Sequence, residues 1–195
     1  LSGLGGGVAL MGVAFGCERA APTAPSATST VAGLSAHANG SSEDDDGIVV
    51  RWFFPGDGAA SALSATDAKI TLTGEGTFEP DDEENDDVTG GGTWQTFPPG
   101  STTASASGTY RVKAFLSFQL APGSIAVPSA RAGLAFLRIR YSDGTTGSLV
   151  ISCRFPNTPA GVAEGISVSK GFVDFWKIQD PDFTQFRIVD EDPDD

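Results

Sequence analysis

The sequence predicts an all-β domain, either a single antiparallel β-sandwich or jelly-roll or a closed β-barrel, with about eight or nine strands. Three observations predict it. Apolar and polar residues alternate at period two in run after run. No window carries the 3.6-residue period of an amphipathic helix of ten or more residues. Gly, Pro, Asp and Asn punctuate the runs at short intervals. Without crossover helices to join parallel strands, pairing through hairpins is the remaining topology. Periodicity does not separate a sandwich, placed first here, from a barrel.

Ile48 to Phe54 is the first strand candidate. In the run 69–78, Ile70, Leu72 and Phe78 share one parity, and Lys69, Thr71, Thr73, Glu75 and Thr77 share the other. Gly74 and Gly76, on the inward parity, mark a bend or bulge where another backbone comes close. Gly90 to Gly92 form a permissive loop entering a strand over 92–97 that is headed by Trp94. Tyr110, Val112, Ala114, Leu116, Phe118 and Leu120 are expected on one face of the next strand, with Arg111, Lys113, Ser117 and Gln119 opposite. Leu137, Ile139 and Tyr141 oppose Arg138 and Arg140, and the Asp143-Gly144 turn that follows predicts a hairpin of Leu134 to Tyr141 with Ser148 to Phe155. Gly165 to Ser169, Phe172 to Ile178 and Phe183 to Val189 complete the set.

These strands occupy a domain over 47–189, preceded by an export-like segment (1–20) and a linker (21–46), and followed by an acidic tail (190–195). Leu4 to Gly16 are almost wholly apolar or Gly and stop at Cys17. The run has the length of a secretory apolar region and falls short of the roughly 20 residues of a membrane-spanning helix. Val13-Ala14-Phe15-Gly16-Cys17 resembles the lipobox of bacterial lipoprotein precursors, a resemblance confined to the first 20 residues. It implies that Cys17 becomes the lipidated first residue of the mature chain, with the membrane as partner and the cell envelope or the extracellular space as location. Ordinary cleavage near Ala20-Ala21 is the alternative. The linker is rich in Ala, Ser, Thr and Pro with an acidic end; such a composition buries too little apolar surface to offset ordering and is expected to be disordered. Cys153 alternates with Leu149, Ile151 and Phe155 and is expected as a small apolar strand residue. A Cys17–Cys153 disulfide is the alternative if Cys17 stays unmodified.

Charge and residue inventory narrow the function. A net charge of -13 argues against nucleic acid as a partner. Between 101 and 178, however, Arg111, Lys113, Arg131, Arg138, Arg140, Arg154, Lys170 and Lys177 face only Asp143, Glu164 and Asp174. They read either as solvated strand faces balanced by acidic loops or as an anion-binding surface. The single histidine, His37, lies in the linker, so the domain offers no imidazole for a Ser-His-Asp or Cys-His mechanism or a histidine zinc site. No phosphate-binding loop or nucleophile elbow occurs, and no cofactor is expected.

The acidic run supplies Asp81, Asp82, Glu83 and Asp86 as oxygen ligands for weak calcium binding, although it fails the EF-hand register and reads first as a solvated loop. Trp94, Trp52 and Trp176 are candidates for stacking on a sugar or another planar ligand, with a place in the core as the competing role. Catalysis without imidazole would need a carboxylate pair drawn from Glu75, Glu79, Glu164 and Asp174. The leading expectation is an exported, envelope-anchored, non-catalytic domain that binds an unknown extracellular or periplasmic ligand or plays a structural part. The alternatives are a carboxylate-dependent enzyme with glycoside-hydrolase-like chemistry and a β-barrel carrier whose cavity is lined by Phe115, Phe118, Phe136 or Phe172.

Overall fold

The computed structural model describes residues 48–55, 58–80, 87–121, 129–179 and 184–189. Among them are twelve strands and no helix. They are β1 (Val49–Phe53), β2 (Ala59–Ser64), β3 (Lys69–Thr73), β4 (Glu75–Phe78), β5 (Gly91–Phe97) and β6 (Ala106–Leu120), then β7 (Ala130–Arg131), β8 (Gly133–Tyr141), β9 (Thr146–Cys153), β10 (Gly165–Lys170), β11 (Val173–Ile178) and β12 (Gln185–Val189). The choice that periodicity left open falls on the barrel. Strands β3-β2-β11-β10-β9-β8-β6-β5 form an eight-stranded antiparallel ring closed by β3–β5, and β4, β1, β12 and β7 continue outside it.

Closure depends on one bend. The run 69–78 divides at Gly74: β3 pairs with β5 inside the ring, whereas β4 turns away to pair with β1. Gly74 has φ +151°, a conformation that side chains disfavour, and β5 comes so close that a Cβ on Gly74 would overlap the Gly91 carbonyl oxygen. The expected bend is therefore the point where the barrel ends and the outer strands begin.

The strand count exceeds the expected number because the run 69–78 divides into β3 and β4 and because β2 and β7 carry weak signals. The sequence of β2, AASALS, has none of the large β-branched or aromatic residues that mark strands, yet Ala60, Ala62 and Ser64 point inward and are buried. β7 has only two residues. The predicted hairpin is present as β8 and β9 around Ser142–Thr145, where Asp143 Oδ1 accepts hydrogen bonds from the Thr145 N–H at 3.0 Å and from its hydroxyl at 2.7 Å.

In β6 the expected single face is corrected. Its register against β8 shifts twice, between Val112 and Ala114 and between Phe115 and Ser117. Each irregularity moves the inward set by one residue, so Tyr110, Val112 and Phe115 are buried while Leu116 is 49% exposed. The second restores the original parity at Phe118, and Leu120, the last residue of the strand, is 57% exposed. The same shifts turn Phe115 and Phe118 toward β4 and β12. Phe115 stacks on Phe78 with centroids 4.7 Å apart, and Phe118 meets Phe78 at 5.3 Å and Phe186 at 5.1 Å. This phenylalanine cluster fastens the outer strands to the barrel wall.

Inside the ring, Trp94, Tyr110 and Tyr141 fill the end near the β8–β9 turn, with Trp94 edge-on to Tyr141 at 5.7 Å. Their polar atoms reach backbone carbonyls: Trp94 Nε1 donates to Thr109 at 3.1 Å, Tyr110 to Thr73 at 3.0 Å and Tyr141 to Ser169 at 2.8 Å. Burial pushes both phenols well above their ordinary range. Cys153 is a free, buried thiol on the inward face with Leu149 and Ile151, as its alternation predicts, and burial raises its pKa to about 12.

Candidate functional site: a cationic face on the barrel wall

A barrel strand that buries one parity must present the other to solvent. On β8 the outward residues include Arg138 and Arg140, and on β6 they include Arg111 and Lys113. Because β6 pairs directly with β8, Arg111 lies opposite Arg140, and Arg138 lies opposite Ala114 beside Lys113. Paired positions on neighbouring strands stand about 5 Å apart, and alternate positions along a strand about 7 Å apart. Four cations therefore occupy one small patch. None has a salt-bridge partner among the described residues.

Like charges placed directly across a sheet destabilise it. Here Arg111 and Arg140 face each other with no carboxylate paired to either among the described residues. The pair borders an open depression of about 300 Å³ whose other lining residues include Thr109, Lys113 and Ser142. Beyond Arg138 a second open depression of about 350 Å³ is bordered by Leu116, Thr146, Ser148 and Ser169, and the last two hydroxyls lie 3.1 Å apart. Chemically the face can hold anionic groups between arginines and accept or donate hydrogen bonds at adjacent hydroxyls.

The other basic residues do different work. Lys177 pairs with Asp67 at 2.7 Å, Arg131 lies on β7, and Arg154 follows β9. Lys170 closes the barrel mouth. Its ammonium sits 4.3 Å from the Trp94 ring centre and 4.9 Å from that of Tyr141, and it donates to Asp143 and, at 3.1 Å, to Thr145 Oγ1.

That hydrogen bond from Lys170, seconded by those from Thr145, lowers the Asp143 pKa from 3.8 to about 2. A carboxyl group depressed on folding adds stability above its unfolded value and loses it as pH falls through the folded one. Asp143→Asn is accordingly expected to unfold at lower urea concentration than the wild type at pH 7. The gap should close between about pH 4 and about pH 2, as read from urea midpoints across that range. A gap that persists unchanged at pH 2 would show that the carboxylate charge contributes nothing.

Several sequence candidates fall elsewhere. Trp52 and Trp94 are 0% and 3% exposed, which corrects their place in the stacking set: neither has a free ring face. Trp176 is 56% exposed on β11, with Lys177 against its ring. Asp81, Asp82, Glu83, Asp86 and Cys17 lie outside the described residues. Glu75 pairs with Arg51 at one depression and Glu164 borders another, and neither depression holds a second of the four candidate carboxylates. The four phenylalanines named for a carrier cavity line no common space. Phe115 and Phe118 pack into the phenylalanine cluster, Phe136 lies on the outward parity of β8, and Phe172 stands fully exposed at the β10–β11 turn. No protein family, curated protein or solved structure matches the chain.

Proposed function

We propose that this protein is a non-catalytic binding domain whose outer barrel wall captures an anionic ligand, and that it works outside the cytoplasm on a Cys17 lipid anchor. The observation that supports the binding role is the Arg111–Arg140 pair, without a carboxylate partner among the described residues and with Lys113 and Arg138 beside it, on a chain of net charge -13. Like charges face each other on a wall where neutral residues would pair better, which is the pattern of a site that serves a partner rather than the fold. The aromatic plug of Trp94, Tyr110 and Tyr141 inside the barrel favours the wall as the surface for a ligand. The anchor reading is supported by the lipobox-like Val13–Cys17 segment and the linker composition.

The test uses the sign mismatch between patch and protein. On a sulfonate resin at pH 7 and low ionic strength, this acidic protein is expected to be retained, and an Arg111→Ser/Arg140→Ser variant to elute at markedly lower salt. A charged hydrogen bond is worth about 1.5–3 kcal/mol, so losing each arginine contact costs about tenfold or more in affinity. The same variant should melt no lower than the wild type, because it removes repulsion. If wild type and variant elute together, the binding reading fails. For the anchor, the intact mass of envelope-extracted protein should correspond to a chain starting at acylated Cys17, and a mass that includes Leu1 defeats it.

A further inference from the structure

We infer that the cationic face binds a linear acidic polysaccharide, with its acid groups seated between the facing cations of β6 and β8 and its ring hydroxyls on Thr146, Ser148 and Ser169. The inference rests on the anion-binding reading and adds the ligand class. Three features of the wall carry it.

The first is shape. The two depressions are open and lie along the sheet, and Arg138 and Arg140 form a row at alternate positions of β8, whose backbone spacing is about 7 Å. A compact multivalent anion would use only one end of such a row, whereas an extended chain uses its whole length. The second is the polar surface beside the row. Arg138 lies opposite Ser148 and Arg140 opposite Thr146 in the β8–β9 register, and Ser169 of β10 continues the line. Hydroxyls that both donate and accept match the hydroxyls of a sugar ring, and the exposed Leu116 at the same depression offers an apolar contact for the C–H face of a ring. The third is charge density. A nucleic-acid strand carries a phosphate at every nucleotide, and a chain of net charge -13 repels so dense a polymer beyond the patch. A polysaccharide with at most one acid group per sugar meets less of that repulsion while still placing acids over the arginines.

Calorimetric titration with galacturonate, its trimer, polygalacturonate, neutral dextran, tripolyphosphate and a twenty-nucleotide oligothymidylate separates the possibilities. The expected result is at least tenfold tighter binding of trimer than of monomer, no binding of dextran, and loss of affinity with rising salt. Polygalacturonate is expected to bind more tightly than tripolyphosphate or the oligonucleotide. Arg138→Ser/Arg140→Ser should weaken polygalacturonate at least tenfold, and Thr146→Val/Ser148→Ala should weaken it severalfold, with melting temperatures showing that each variant is folded. Equal or tighter binding of tripolyphosphate or oligothymidylate overturns the polysaccharide assignment while resin retention still upholds an anion site. Loss of resin retention together with absence of every binding signal overturns both.

Discussion

Gly92→Ala is expected to destabilise the domain by about 3 kcal/mol, or roughly 10 °C in melting temperature for a domain of this size. Gly92 lies at the β3–β5 seam that closes the barrel. A methyl group there would overlap the Thr73 carbonyl oxygen, and would come within 2.6 Å of its carbon and 2.8 Å of Gly74 Cα. These are backbone atoms, so no side-chain rotation relieves the overlap. Gly74 cannot retreat freely, because its own bend sends β4 out of the ring. Gly100→Ala is the control, since its added carbon meets nothing within 4 Å, although φ +69° there brings a modest strain. Thermal melts followed by circular dichroism distinguish the two. If Gly92→Ala melts within about 2 °C of the wild type, the seam is not as tight as described.

That seam shows where sequence reasoning succeeds and where it stops. Glycines on an inward parity predict a close approach, because a missing side chain in a strand needs a neighbour to fill its place. They do not say which backbone fills it. The partner is β5, separated from β3 by β4 and the following loop, and only that non-local pairing turns an open sheet into a ring. Period-two alternation likewise placed Arg138 and Arg140 on the outer wall of a strand, and Arg111 and Lys113 on another. Their convergence into one patch depends on the pairing of β6 with β8 and on where the register shifts, neither of which a linear pattern reports. The shifts in β6 defeat alternation between them, since Leu116 keeps the expected parity yet faces solvent. The tryptophans were ambiguous for a different reason. An indole beside glycines fits a core or a binding platform equally well in sequence, and only its neighbours in space decide.

Trp52 is the case where those neighbours make the strongest demand, and Trp52→Ala is expected to cost about 3–5 kcal/mol. The ring is fully buried on β1, tilted against Phe54 at 5.6 Å, and lies over the glycine pair Gly76 and Gly90. Neither glycine has a side chain that could move into the space left by the indole, so a cavity remains. Trp52 Nε1 is also the one buried side-chain nitrogen or oxygen without a hydrogen-bond partner among the described residues. An unsatisfied buried donor costs about 1–3 kcal/mol, and this cost disappears when phenylalanine replaces the indole. Trp52→Phe therefore loses part of the ring's packing and regains part of that cost, leaving an expected net loss of about 1.5 kcal/mol or less. Urea unfolding at constant slope should show Trp52→Phe close to wild type and Trp52→Ala far below it. Equal losses in the two variants would mean that the indole N–H makes a hydrogen bond in solution, and that a phenyl ring in its place does nothing to hold β1 against the glycine pair.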